Sequence, residues 1–406
     1  MDKFSVDSLK AGMIFSEPVY VEEDNILVPA GEAIRQKDID RLISWGIESV
    51  ESEGKPVEPA GQKSAAPVAT DQVSAAAPPP QEAKPLPKKK EAPAVKKAPS
   101  NVITLAEVQG NTEIYRSYMD IIERLDKVFT EIAEGENAEA RSIDSITKQL
   151  LKAVREHQTS MIGFILGGKV SGLELAKSSV NTAILSALIA TELKQPNQKV
   201  MNIAIGALLH DVGMLRLPKE LISKKGGLSP MELQRMQAHP LFSYRIVTRE
   251  LNFGEDIGIV VLQHHERWDG EGYPRKTAGA AIDFGARIVS VVDAFEAMVS
   301  QKSYRNSMIG YQAMKNLLSD NSRRFDPHIL KAFIQTMGIY PIGSIILLNN
   351  GAMARVTEVH GNAHLRPKIE ILMDENEKTG EGKQIDLLKE KRIYISRALD
   401  PQEVSQ

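Results

Sequence analysis

Residues 55–99, KPVEPAGQKSAAPVATDQVSAAAPPPQEAKPLPKKKEAPAVKKAP, constrain the folding of this chain more than any other stretch. They hold ten of its 21 prolines and eight lysines, with no aromatic residue. Proline lacks the amide that helices and sheets need, and a segment this poor in apolar surface cannot offset its ordering entropy. It reads as a disordered, partly extended linker. The 406-residue chain is thereby divided into a small unit at 1–54 and a long remainder with room for a sizeable core.

In the small unit, MIFSEPVYV and NILVPAGEAI read as short strands, and RQKDIDRLISWGIESV as a helix leading into a strand. Ile39, Leu42 and Ile43 would form the apolar face of that helix. No chemistry is visible there, so the unit reads as a small α/β regulatory or docking module, suited to a signalling protein partner. Residues 100–336 change to a helical period. Ile114, Tyr118, Ile121, Leu125, Val128 and Ile132 recur every three or four positions, and so do Ile143, Ile146, Leu150 and Val154. Further helices are expected near 172–193, 199–212, 230–250, 255–266, 285–301, 310–319 and 327–336. At 337–406 short alternating runs (GSIILLNN, AMARVTEVH, KIEILMD, RIYISRAL) separated by Gly, Asn and Pro predict a small β module. Its His360 and His364 would share an ion only on a helix, which Gly361 and Asn362 oppose. The fold class is mainly α, flanked by two small modules.

Several function classes fall away. With no cysteine there are no disulfides, thiolate nucleophiles or cysteine-held zinc. A formal net charge of -3 lacks the basic excess expected of a protein bound to a nucleic-acid polymer. The opening MDKFSVDSLK is unlike a secretory signal, and no apolar run approaches the ~18 residues of a membrane span. A soluble cytoplasmic protein is expected.

Four of the eight histidines fall between 210 and 265. In LLHDVGMLRLP, His210 and Asp211 close an apolar helix, and an imidazole beside a carboxylate suits first-row divalent ions. Taken alone, His210 is equally a core histidine bonded to its acid, and His239 a capping or surface residue. The tandem His264–His265 shifts the balance. Two successive helical side chains point about 100° apart, and they make joint sense when both reach one centre or adjacent centres. Asp293 lies among Val291, Val292, Ala294 and Phe295, where a carboxylate is costly unless paired, hydrogen-bonded or metal-bound. Four imidazoles and two carboxylates without sulfur favour iron, manganese, nickel or zinc. Two such ions bridged by a carboxylate would activate water and clamp a phosphoester undergoing in-line displacement.

The loop HHERWDGEGYP at 264–274, with the HD pair and VVDAFEAMVSQKSYR, resembles the HD-GYP family, a branch of the HD phosphohydrolases that hydrolyses cyclic di-GMP in bacteria. The resemblance covers roughly residues 101–336 and implies an HD-type helical bundle. It implies that Asp211 bridges two divalent ions, iron or manganese before nickel or zinc. His210, Asp211 and Asp293 would serve the first ion, and His239, His264 and His265 the second. Tyr273 and Pro274 would line the nucleotide pocket, with Arg267, Arg287 and Arg305 as contacts to phosphate or guanine. Hydrolysis to pGpG, and in a second cut to GMP, is the implied activity.

Two positions depart from that pattern. Ser178 stands where the family carries a histidine ligand, and Met214 where it carries a lysine facing the phosphate. Glu174, one turn before Ser178, falls where members with a third metal place a carboxylate. Loss of the lysine charge is worth roughly 3–4 kcal/mol of transition-state stabilisation. The resemblance therefore implies either an attenuated cyclic di-GMP phosphodiesterase or a degenerate domain that binds cyclic di-GMP or a protein without turnover. A hydrolase for another nucleotide is the third reading, and the GYP loop counts against it.

Overall fold

The structure is a computed structural model that describes residues 2–21, 25–28, 30–44, 47, 49–57, 112–167, 173–224, 226–300, 308–319, 323–374 and 382–399. Most of the proline-rich stretch, together with Arg305, lies outside the described residues.

In the first unit an antiparallel sheet runs in the order β1 (Asp2–Ser5), β5 (Ser49–Ser52), β3 (Val19–Val21), β4 (Asn25–Val28). A second pair joins β2 (Ile14–Phe15) to β6 (Pro56–Val57). The first residues of the expected linker thus belong to a strand, because Val57 and Pro56 find partners in Ile14 and Phe15. Helix α1 (Gln36–Ser44) buries Ile39 and Leu42 in a core with Phe15, Ile34 and Val50. Ile43, expected on the same face, is instead 57% exposed.

The helical body begins with α2 (Thr112–Glu134) and α3 (Ala140–Glu156), whose periodic apolar residues are buried as their spacing predicts. Helix α4 (Gln158–Gly167) has no counterpart among the expected elements: QTSMIGFILG carries no polar period because Met161, Ile162, Phe164 and Ile165 are all buried. Helices α5 (Glu174–Glu192) and α6 (Asn197–Leu209) pack on each other. The single helix expected over 230–250 is two helices, α7 (Pro230–Met236) and α8 (His239–Arg245), the second passing into a π-helical turn at Ile246–Glu250. A reciprocal Ser229–Glu232 capping box starts α7, while Pro240 opens α8. Helices α9 (Glu255–Gln263), α10 (Phe284–Ser300), α11 (Met308–Ser319) and α12 (Pro327–Met337) complete the body. Asp326 caps α12 through the amide of His328.

Beyond α12 an antiparallel sheet has the order β10 (Gln384–Asp386), β9 (Lys368–Met373), β8 (Met353–Glu358), β7 (Ile345–Leu348), β11 (Ile395–Ala398). His360 pairs with Asp386 at 2.9 Å, in a loop that is not helical.

Three helix segments meet on one side chain. Val260 of α9 sits where Cβ atoms added to Gly206 of α6 and Gly285 of α10 would each fall 2.7 Å from a valine methyl. Glycine at both positions lets three backbones close on one β-branched knob. Their approach matters because α6 ends at His210, α9 ends at His264 and α10 carries Asp293. Gly206→Ala should destabilise the protein by about 1–3 kcal/mol through overpacking. Val260→Ala in the same chain should return part of that loss, giving a coupling of about 1 kcal/mol in a thermal-unfolding double-mutant cycle. Strict additivity would mean that Val260 does not set the helix spacing.

Candidate metal centre

His210 follows the last turn of α6 in helical conformation, and its Nδ1–H donates to the carbonyl of Ala207 at 2.8 Å. The same arrangement recurs twice. His239 Nδ1–H donates to Met236 (2.8 Å), and His264 Nδ1–H to Val261 (2.7 Å). In each case the ring is held by the carbonyl three residues earlier, which fixes Nδ1 as a donor and leaves Nε2 bare of any backbone partner.

Those bare nitrogens converge with carboxylate oxygens. His239 Nε2 lies 3.4 Å from His264 Nε2 and 3.1 Å from Asp211 Oδ1, and His264 Nε2 lies 3.7 Å from that same oxygen. On the other side of the carboxylate, His210 Nε2 is 3.5 Å from Asp211 Oδ2 and 3.6 Å from Asp293 Oδ1. His265 Nδ1 is 4.0 Å from Asp293 Oδ2. His210, His239 and His264 are buried, and His210 Nε2 and Asp211 Oδ1 have no hydrogen-bond partner. Acceptors packed this closely without donors repel one another unless a cation lies among them. The donor set therefore fits a divalent metal. Ligand atoms of Asp211, His239, His264 and His265 all fall within 4.8 Å of one another, and His210 with Asp293 flanks them across Asp211.

The electrostatics agree. Burial opposes charge on His210, yet the Asp211 charge and the Asp293 contact outweigh it and push its pKa up to about 9. Asp211 and Asp293 are held below the ordinary carboxylate range against their own burial, chiefly by His210, with His239 and His264 adding to the effect on Asp211. Burial, helped by neighbouring imidazoles, lowers His264 and His265, keeping both neutral and ready to coordinate. The negative potential that raises the proton affinity of His210 would draw a metal cation equally.

Local structure explains the convergence. A Cβ on Gly213 would fall 2.2 Å from the His239 carbonyl oxygen, so only glycine lets the turn after Asp211 lie against the start of α8. The Gly213 amide donates to Ser243 Oγ at 2.7 Å, fastening that contact. On the far side the Tyr273 ring lies on His265, with centroids 4.7 Å apart. Burial, then Asp211 and Asp293, raise the Tyr273 hydroxyl pKa while Arg324 opposes them, so the phenol stays protonated.

The other expected residues are placed less centrally. Glu174 is exposed at the start of α5, where its charge acts on Lys177 and Asp126; its carboxylate is not in the donor group. Ser178 donates to Glu296 Oε2 at 2.6 Å. Met214 is half-buried in the turn after Asp211. Arg267 pairs with Asp269 at 2.6 Å. Arg287 pairs with Asp326 at 2.8 Å and lies near the rings of Trp268 and Phe284. Both guanidiniums thus have carboxylate partners within the chain, which any phosphate or guanine contact would have to share.

Sequence reasoning missed three neighbours. Glu296 is buried and accepts from Ser178, from Asn181 (3.0 Å) and from Ser300, while Asn181 accepts from Tyr118 (2.8 Å). A second carboxylate one turn after Asp293 in an apolar helix was the signal that could have found it. Glu266 is buried beneath the loop at 273–277. Arg324 meets the earlier part of the HHERWDGEGYP loop through its carbonyl, which accepts from the Trp268 amide at 2.9 Å.

The sequence pattern of the HD domain family matches residues 165–329, and that of a KOW domain associated with HD domains matches residues 345–406. A cyclic di-GMP phosphodiesterase of Pseudomonas aeruginosa is 27% identical over 62% of this chain and 60% of its own length. Another, of Borreliella burgdorferi, is 30% identical over 45% of this chain and 48% of its own length. The matched region therefore spans only about half to three-fifths of these relatives. Among solved structures, an HD-GYP protein of Bdellovibrio bacteriovorus aligns with a TM-score of 0.46 and 14% identity, over 82% of this chain and 97% of its own. The stretch that matches the HD domain family, residues 165–329, carries the HD pair and the GYP loop on one helical body, and this region is similar to the cyclic di-GMP phosphodiesterases of Pseudomonas aeruginosa and Borreliella burgdorferi.

Proposed function

We propose that this chain is a metal-dependent cyclic di-GMP phosphodiesterase of reduced rate, yielding pGpG and, in a second cut, GMP. The observation that carries the reading is the convergence of bare imidazole nitrogens on both oxygens of Asp211. The names of the relatives supply the substrate class. Two ions, iron or manganese before nickel or zinc, would be held: one by His239, His264, His265 and Asp211 Oδ1, the other by His210, Asp293 and Asp211 Oδ2. Bound there, they would supply Lewis acidity and an activated water for phosphoester hydrolysis. The chain's own residues then have distinct tasks. Asp211 ties the two positions together, the three backbone-anchored imidazoles keep their nitrogens aimed inward, and Tyr273 with Pro274 forms a wall for the nucleotide. Arg267, Arg287 and Arg305 remain the proposed contacts to phosphate or guanine.

The two metal positions are unequal. The position at His210 has fewer donors, and no side chain of α5 is proposed to complete it. Ser178 is turned to Glu296 and Glu174 stands outside the donor group. Met214 brings no charge to the phosphate. These features support the second reading, a cyclic di-GMP receptor with little or no turnover.

We propose the four-part division read from the sequence, with the N-terminal unit as the docking site of a signalling partner. No helix among the described residues is long and apolar enough to cross a membrane, which accords with a proposed cytoplasmic setting.

Stripping the metal with a chelator should lower the unfolding temperature, because an ion at 100 times its Kd stabilises by about 2.7 kcal/mol. A His264→Ala/His265→Ala variant should lose both metal and cyclic di-GMP binding. Unchanged metal content by elemental analysis would overturn the site assignment.

Turnover is tested with purified protein loaded anaerobically with iron or manganese, alongside Ser178→His/Met214→Lys. The expected outcome is slow conversion by the native protein and a rise of about 10²–10³-fold in the variant. A silent native protein that binds the nucleotide, beside an active variant, would establish the receptor reading. Absence of binding by both would overturn the cyclic di-GMP assignment altogether.

A further inference from the structure

The residue directly after the two tandem histidines, Glu266, is 1% exposed. Its carboxylate accepts the amide of Arg275 on Oε1 at 2.7 Å and the amide of Thr277 on Oε2 at 3.0 Å. Those amides flank the Tyr273–Pro274 turn on its C-terminal side. On the N-terminal side, Tyr273 N–H donates to the His265 carbonyl at 3.2 Å. A Cβ on Gly272 would fall 2.6 Å from both Glu266 Cα and the His265 oxygen and 2.4 Å from Arg267 N. Backbone 272–277 is therefore folded directly onto backbone 265–267, and the Glu266 side chain reaches through to hold the returning strand. The remainder of the loop is braced separately. Gly279 N–H donates to Trp268 (3.0 Å), and the Gln263 side chain accepts the Asp283 amide at 2.7 Å.

We propose that Glu266 is a positioning residue that locks the Tyr273–Pro274 wall to the metal ligand His265, so that nucleotide pocket and metal centre move as one body. The proposal rests on the reading that Tyr273 and Pro274 face the nucleotide. The chemistry of the site calls for a carboxylate. Two N–H donors point at two oxygens in a place closed to water, and a glutamine of the same shape offers only one oxygen, turning its NH₂ against the other donor. The Tyr273 ring lies against His265 at a tilt of 35°, so slack in the turn changes both the wall and the packing of a ligand ring.

The test uses the full chain loaded with manganese, comparing native protein with Glu266→Gln and with the shorter but charged Glu266→Asp. Hydrogen exchange in peptides covering 270–278 should accelerate at least about tenfold in Glu266→Gln, with exchange elsewhere and manganese content unchanged. KM for cyclic di-GMP, or Kd where turnover is absent, should rise about tenfold or more with kcat altered less. Glu266→Asp should fall between the two. Native exchange rates at 270–278 in Glu266→Gln would overturn the clamp. A loosened turn with unchanged KM or Kd would overturn the positioning role, and so would global loss of exchange protection and metal together, which marks a merely structural residue. Should native protein fail to bind cyclic di-GMP, the functional reading falls on that measurement alone. The exchange and metal measurements still decide whether Glu266 locks the turn.

Discussion

Everything else in the helical body answers to one electrostatic problem. Three imidazoles spend their Nδ1 protons on carbonyls of their own helical turns, and their remaining nitrogens crowd against the two oxygens of Asp211. Such a set holds more acceptors than protons, and a positive charge among them, a proton on His210 or a metal ion, relieves the repulsion. The fold holds it by bringing helix ends together. Gly206 and Gly285 admit Val260, Gly213 admits the backbone of α8, and His210, His239 and His264 arrive at a common point from three different segments. A helix end suits the purpose because a histidine there can reach back to a carbonyl three residues earlier and still face outward with Nε2.

How much of this the sequence displays depends on the range of the interaction. Helical faces are local, so Ile114 to Ile132 and Ile143 to Val154 announce α2 and α3 by spacing alone. Where an element is apolar all round, as in QTSMIGFILG, periodicity vanishes and α4 is invisible. The 230–250 stretch looked continuous because Gln237 and Ala238 are good helix formers. The break before Pro240 shows only when the turn over Gly213 is in view. His210, Asp211, His239, His264, His265 and Asp293 were suspicious by composition and converge in space. Glu296 stands out in its apolar helix, but its partner Ser178 does not, since it lies 118 positions away and only tertiary packing pairs them.

That network bears on the asymmetry of the centre. Glu296 stands one turn beyond Asp293 on α10, and its oxygens are occupied by Ser178, Asn181 and Ser300. A carboxylate with three donors in a buried site gains nothing by leaving them for a metal. The polar contacts joining α5 to α10 thus stabilise the helix that carries Asp293 while contributing no donor to the His210 position. The residues that hold α5 to α10 leave the proposed second metal position, at His210 and Asp293, with fewer donors than the first.

On the proposed function, recognition and turnover are separable in this chain. On that reading, binding the nucleotide would need a metal among Asp211, His239, His264 and His265 and a rigid aromatic wall at Tyr273, and both are fastened to the His264–His265 segment. Turnover would additionally need charge where the phosphate becomes more negative, and Met214, at the position proposed to face it, has none to offer. One such contact is worth roughly 3–4 kcal/mol in the transition state but far less in the ground state. On the proposed function its absence would lower the rate by orders of magnitude and the affinity only slightly. Under that proposal, a domain of this construction would pass from enzyme to receptor without rebuilding its pocket.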